Sequence, residues 1–151
     1  IMKILVYTFR TFPYLEELKK TFPYVVVFGK LKESLQNFYV VITGKNPDLI
    51  LGVALSNSSN SFFEPMTINK FNENARVERT GKNEYALLLF VPNLKKSNFK
   101  VSPNPSDSFC NYTMYKIKNF LEQKEIDIPF AFSHLKKEQI KELPLVLNDQ
   151  I

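Results

Sequence analysis

Asp48-Leu49-Ile50-Leu51-Gly52-Val53-Ala54-Leu55 is the stretch that most limits what this chain can fold into. After its opening aspartate it has no polar residue, so it cannot be a strand with one wet face. A strand apolar on both faces belongs in a parallel sheet covered by helices on each side. Two earlier runs fit beside it. Lys3 to Phe9 is short and apolar, and Tyr24 to Phe28 is dense in β-branched and aromatic residues, so both are expected as buried strands. Between them and Asp48, Leu31, Leu35, Phe38 and Ile42 fall three or four residues apart over Lys30 to Thr43, one helical stripe closed by Gly44 and Pro47. Strands alternating with helices predict an α/β chain, a three-layer α/β/α sandwich with a mainly parallel central sheet.

The second half continues the pattern. Ser56 to Ser61 is a run of small polar residues that could serve as a linker. It directly follows a core strand, where open α/β sheets place ligand loops, and a site loop is the favoured reading. Glu73 to Asn83 is polar and turn-rich, and Tyr85 to Val91 fits either a strand or a buried helix turn. Pro103 and Pro105 exclude a helix from Val101 to Asp107, so a helix should begin just after, with Met114, Ile117, Phe120 and Leu121 as its apolar stripe and an end near Glu125. Ile128 to Phe132 is expected as the last strand, and Lys136 to Leu143 as a short charged helix.

Composition narrows the function classes. The chain has 151 residues, expected to form one domain over 1–151, with a single cysteine and a single histidine. A disulfide framework is therefore excluded within the chain, and a zinc centre lacks nitrogen and sulfur ligands. No metal or cofactor is expected. The net charge of +5 comes from 17 lysines against 3 arginines, spread in ones and twos. Arginine is the usual fork-shaped reader of phosphates and guanines, so nucleic acid is not an expected partner. A lysine-rich module for anionic surfaces stays open as a minor reading. No apolar run approaches the roughly 20 residues that span a bilayer, and the opening residues lack a signal-peptide pattern. A cytoplasmic location without membrane association is the expectation.

Three side chains could do chemistry together. Cys110 falls in the first turn of the helix after Pro105-Ser106-Asp107, where unpaired amides and the helix dipole favour a thiolate. A free cysteine is otherwise most often a small core residue. His134 follows the expected last strand at its carboxyl end, and Glu64 sits between Phe62-Phe63 and Pro65 beside a core strand. A thiol nucleophile needs an imidazole, and that imidazole needs an orienting group, often a carboxylate.

The blocks around these residues are Leu51 to Leu55 leading to Glu64-Pro65-Met66-Thr67-Ile68-Asn69, then Ser102 to Cys110-Asn111-Tyr112-Thr113-Met114-Tyr115, and then Phe130-Ala131-Phe132-Ser133-His134-Leu135. Together they resemble the three signature blocks of the pyroglutamyl peptidases (pyrrolidone-carboxylate peptidases). The start, Met2 to Val6 with Phe9 and Phe12, is similar to that family's first strand and aromatic loop. The resemblance implies a cytoplasmic cysteine peptidase of α/β/α architecture that removes an N-terminal pyroglutamyl residue from peptides, often as a homo-oligomer. By motif, Glu64, Cys110 and His134 match the triad, Phe9 and Phe12 the aromatic residues that enclose the lactam, and Arg76 the arginine near the oxyanion site. The chain departs from the family in being shorter and glycine-poor: Pro13 and Tyr14 replace glycines after Phe12, Ser56 to Ser61 replaces a glycine-rich loop, and Ser106 replaces the glycine before the cysteine. A catalytically silent or specificity-altered relative, binding a ligand in the same cleft, is the rival expectation.

Overall fold

The apolar octet does lie at the centre of a sheet. In the computed structural model, which describes residues 2–72, 74–105 and 108–147, β3 (Leu49–Leu55) buries every residue but its last. It pairs in parallel with β1 (Ile4–Phe9) on one side and β8 (Phe130–Leu135) on the other. β2 (Val25–Phe28) extends the parallel part beyond β1, while β4 (Phe62–Phe63) runs antiparallel to β8 and carries β7 (Lys100–Val101) at the far edge. The order is therefore β2-β1-β3-β8-β4-β7. A separate antiparallel pair, β5 (Met66–Ile68) and β6 (Glu84–Ala86), stands beside it.

Strand alternation sends odd and even positions to opposite layers. Leu5, Tyr7, Ile50, Phe130 and Phe132 face α2 (Leu31–Lys45) and α4 (Phe109–Gln123), meeting Leu35, Phe38, Ile42, Met114, Ile117 and Leu121. Val6, Leu49, Leu51, Val53, Ala131 and Leu135 face the other layer, with α1 (Leu15–Thr21), α3 (Val91–Leu94) and α5 (Leu143–Leu147). This is the three-layer α/β/α arrangement that the sequence predicts. Fully burying a side chain such as Phe38 stabilises the fold by about 1.5–3 kcal/mol, and truncating it to alanine costs about 3–5 kcal/mol once the cavity is included.

Gly52 is a position where the layer tolerates no side chain. It lies in register between Tyr7 and Phe132, and a Cβ there would collide with the Phe132 ring and come within 2.8 Å of the Tyr7 ring. Those rings form part of the floor under the candidate site.

Several boundaries differ from expectation. α1 had no sequence forecast, because only Leu15 and Leu18 mark its apolar side directly after Pro13. α2 runs through Gly44 to Lys45, and Asn46 supplies the left-handed cap at φ 44°; asparagine reaches this region more easily than other non-glycine residues. The last strand occupies Phe130–Leu135 rather than Ile128 to Phe132, so His134 lies within the strand and not after it. Lys136 to Leu143 yields one 3-10 turn at Lys137–Gln139, and α5 starts only at Leu143. Tyr85 to Val91 is strand at its first two residues, then irregular until α3 begins. Ser106 and Asp107, at the end of the proline-pinned stretch, and Glu73 lie outside the described residues.

Candidate active site

The site is built on the α2/α4 face of the sheet. His134 pairs in register with Ala54 of β3 and with Phe62 of β4, so these side chains share a face. Glu64 follows Phe62 by two residues and keeps that face, its N–H donating to the Phe132 carbonyl at 3.0 Å. The Phe62 ring stacks on the imidazole, with centroids 4.4 Å apart and planes 16° apart. Glu64 Oε1 then stands 3.4 Å from His134 Nε2, with the carboxyl side chain 3% exposed. Glu64 Oε2 and His134 Nε2 are buried without a hydrogen-bond partner among the described residues. The pair is close enough for charge interaction but not aligned as a hydrogen bond.

Cys110 reaches the same face from the second residue of α4. Ser108 caps that helix, its Oγ accepting from the Cys110 N–H at 3.2 Å. The Cys110 side chain packs in the cluster of Tyr7, Phe9, Met114 and Phe132 and is 5% exposed. Burial pushes the thiol up to about 12; the Ser108 hydroxyl pulls it down and the Glu64 charge raises it further. This corrects the expectation of a thiolate favoured by the helix start, because desolvation of the sulfur outweighs the amides. No hydrogen bond joins the sulfur to the imidazole among the described residues.

The remaining sequence candidates divide. Phe9 lies on the Cys110 face, buried, with its ring edge-on to Phe109 at 4.9 Å. Phe12 belongs to the opposite core with Val6, Leu18 and Phe22, because the chain turns after β1 (Phe12 N–H to Phe9 carbonyl, 2.8 Å) and drops its ring onto α1. Arg76 is exposed, and its guanidinium donates to its own loop at the carbonyls of Glu78 (3.2 Å) and Gly81 (3.0 Å). The structure thus unites Glu64 and His134 directly and sets Cys110 and Phe9 on their face, but directs Phe12 and Arg76 elsewhere. The Ser56 to Ser61 loop packs on the end of β8, Ser61 Oγ accepting from Lys136 N–H at 2.8 Å. Sequence reasoning missed Phe62 as a partner of the imidazole; its place two residues before Glu64 was the available signal. It also missed Asn111, whose bonds are described below.

No described helix is long and apolar enough to cross a membrane. No protein-family model and no curated protein sequence matches the chain. Solved structures do. The pyrrolidone carboxyl peptidase from Thermococcus litoralis superposes with a TM-score of 0.74 at 16% identity, covering 89% of this chain and 76% of that one. Pyroglutamyl peptidase I from Bacillus amyloliquefaciens gives 0.74 at 18% identity, over 97% and 91% of the two chains. A mutant pyrrolidone carboxyl peptidase from Pyrococcus furiosus gives 0.72 at 18% identity, over 89% and 80%. With TM-scores of 0.72 to 0.74 over 89% or more of its length, this chain has the fold of the pyrrolidone carboxyl peptidases.

Proposed function

We propose that this protein is a distant member of the pyroglutamyl peptidase family, a cysteine peptidase that removes an N-terminal pyroglutamyl residue from peptides. The observation that carries the proposal is the Glu64–His134 contact of 3.4 Å on the sheet face over which α4 holds the chain's only cysteine. With Nε2 turned to Glu64, Nδ1 is the ring nitrogen left to take the thiol proton. The sulfur attacks the pyroglutamyl carbonyl as that proton leaves, and the carboxylate stabilises the imidazolium. The N–H groups at the start of α4 that Ser108 does not occupy are the donors available to the developing oxyanion. The imidazolium then protonates the departing amine, and water, activated by the same ring, hydrolyses the thioester.

A neutral thiol is compatible with this route, because His134 deprotonates it during attack and no resting thiolate is required. The pyroglutamyl ring is flat and uncharged, and Phe9 with Phe109 offers an apolar wall to it. A cytoplasmic, self-associating enzyme completes the proposal, carried over from the resemblance.

A second reading, a catalytically silent relative that binds a ligand in the same cleft, is favoured by specific observations: the sulfur is interred and not bonded to the imidazole, and Arg76 and Phe12 are engaged elsewhere. Release of a chromophore from a pyroglutamyl amide by the wild type, abolished in Cys110→Ser, supports the peptidase. Release that survives in Cys110→Ser removes the nucleophile, and ligand binding without release supports the silent relative.

A further inference from the structure

Next to Cys110 in the chain, Asn111 is fully buried. Its carboxamide reaches across from α4 to β5. Oδ1 accepts from the Thr67 hydroxyl at 2.6 Å and from the Ile68 N–H at 3.0 Å, while Nδ2 donates to the carbonyls of Ile68 at 2.8 Å and Lys70 at 3.0 Å. A carboxamide has two donor hydrogens and two acceptor lone pairs, so its capacity is filled. Because it engages both the N–H and the carbonyl of Ile68, it substitutes for a neighbouring strand on the edge of β5 that β6 leaves open. The Thr67 hydroxyl also lies 3.2 Å from the Asn111 carbonyl, so its one proton is shared between that oxygen and the nearer Oδ1.

The stretch from Glu64 to Lys70 is therefore anchored at both ends. At one end the Glu64 N–H is bonded to Phe132 of β8, the strand that carries His134. At the other end Asn111 holds it to the helix that carries Cys110. We propose that Asn111 is a positioning residue that sets where the Cys110 sulfur stands relative to the Glu64–His134 pair. What the site then does rests on the proposed peptidase reading; the placement itself does not.

Asn69 provides an internal control. Its carboxamide also binds backbone, donating to the Glu78 carbonyl at 2.8 Å and accepting from the Glu78 N–H at 2.8 Å, but these bonds close the hairpin loop, which meets α4 through Glu78 and Lys116 more than one turn beyond Cys110. Asn111→Ala, Asn69→Ala and Thr67→Val are compared in the full chain, well below their unfolding midpoints. The readouts are hydrolysis of a pyroglutamyl amide and alkylation of Cys110 by iodoacetamide.

Asn111→Ala is expected to lower kcat roughly 10- to 100-fold with KM changed less than about threefold, since misplacing a reacting group by about 1 Å costs on that scale. Asn69→Ala is expected to lose a similar amount of thermal stability and keep kcat within about twofold. Alkylation of Cys110 should change in Asn111→Ala and not in Asn69→Ala. Equal losses of rate in the two variants, or an unchanged rate in Asn111→Ala, overturn the proposal. If Asn111→Ala does not fold, Thr67→Val carries the comparison, and a kcat equal to that of Asn69→Ala overturns it. If the wild type releases no pyroglutamate, the peptidase reading has failed and alkylation alone decides: an unaltered rate in Asn111→Ala, or in Thr67→Val, defeats the positioning role.

Discussion

The ionisation of Cys110 gives a prediction that can be worked through to a number. An ordinary thiol with a pKa near 8.5 is about one-quarter ionised at pH 8, whereas a thiol pushed up to about 12 is ionised in about one molecule in 10,000. On ionisation alone the buried thiol should react about 2,000-fold more slowly. A more basic thiolate is also a better nucleophile, with a Brønsted coefficient of about 0.4–0.5, which returns a factor of about 25 to 55 over that pKa interval. The net expectation is alkylation about 50- to 100-fold slower than a free thiol at pH 8, before any further slowing from the 5% exposure. The assay is pseudo-first-order iodoacetamide labelling of the folded chain followed by intact mass from pH 6 to 10, with the urea-unfolded chain as reference. The folded-state rate should rise about tenfold per pH unit without a plateau. A plateau beginning below pH 9 would refute the reasoning, because it requires a thiolate stabilised by the imidazole or by the helix start in the resting chain.

The same environment makes the fold sensitive to alkali. Cys110 and Tyr115 are each held up at about 12 by burial, and burial raises Tyr7 and Tyr39 as well, so the unfolded chain releases these protons first. Stability from these groups is fully present below about pH 8 and should be lost as pH rises towards 12; urea midpoints that stay constant from pH 9 to 11 contradict this. Replacing Gly52 with alanine forces a methyl group into the Phe132 and Tyr7 rings and should cost about 1–3 kcal/mol, read as a lowered thermal midpoint. A midpoint unchanged from wild type would show that the rings can part. Tyr7→Phe removes the hydroxyl bonded to Thr113 Oγ1 at 2.9 Å in the layer below Cys110 and should cost about 1 kcal/mol in chemical denaturation; a variant as stable as wild type argues against that bond. Glu64→Gln should lower pyroglutamyl amide hydrolysis less than Cys110→Ser does while easing the thiol downward, since the Glu64 charge raises it. Slower alkylation in Glu64→Gln contradicts that sign.

How much of this was legible in the sequence depends on whether a residue's role is set locally. The unbroken apolar run of β3 has one plausible setting, a strand covered on both faces, and the layers follow from it. The start of α4 was likewise readable, because prolines exclude a helix before it and Ser108 is a capping residue. The end of β8 was not. Ser133 is fully buried towards the α1/α5 layer and His134 turns to Glu64, so two polar residues that resemble a strand exit lie inside the strand, which runs on to the buried Leu135. Phe12 and Arg76 were placed by motif, but their directions are set by a turn after β1 and by carbonyls within the Arg76 loop, contacts that spacing does not encode.

The thiol shows why a correct local reading gave the wrong sign. Cys110 does occupy the first turn of a helix, as the sequence indicates, and a charge there gains at most about 2 kcal/mol from the dipole, equivalent to about 1.5 pKa units. Full desolvation moves a thiol the other way by up to about 3–5 units. Which wins is decided by the apolar cluster that buries Cys110, whose members include residues of β1, β3, β8, α2 and α4, so its assembly is a tertiary event. The Glu64 charge on the same face adds to the burial. If the site is catalytic, the sulfur must therefore be activated when substrate displaces part of that apolar cover and the imidazole gains access to its proton. A pyroglutamyl ligand should then change the Cys110 alkylation rate at pH 7 in proportion to its occupancy, upward if it uncovers the sulfur to the reagent and downward if it covers the sulfur itself. A ligand that binds and leaves the rate untouched places its site away from the sulfur.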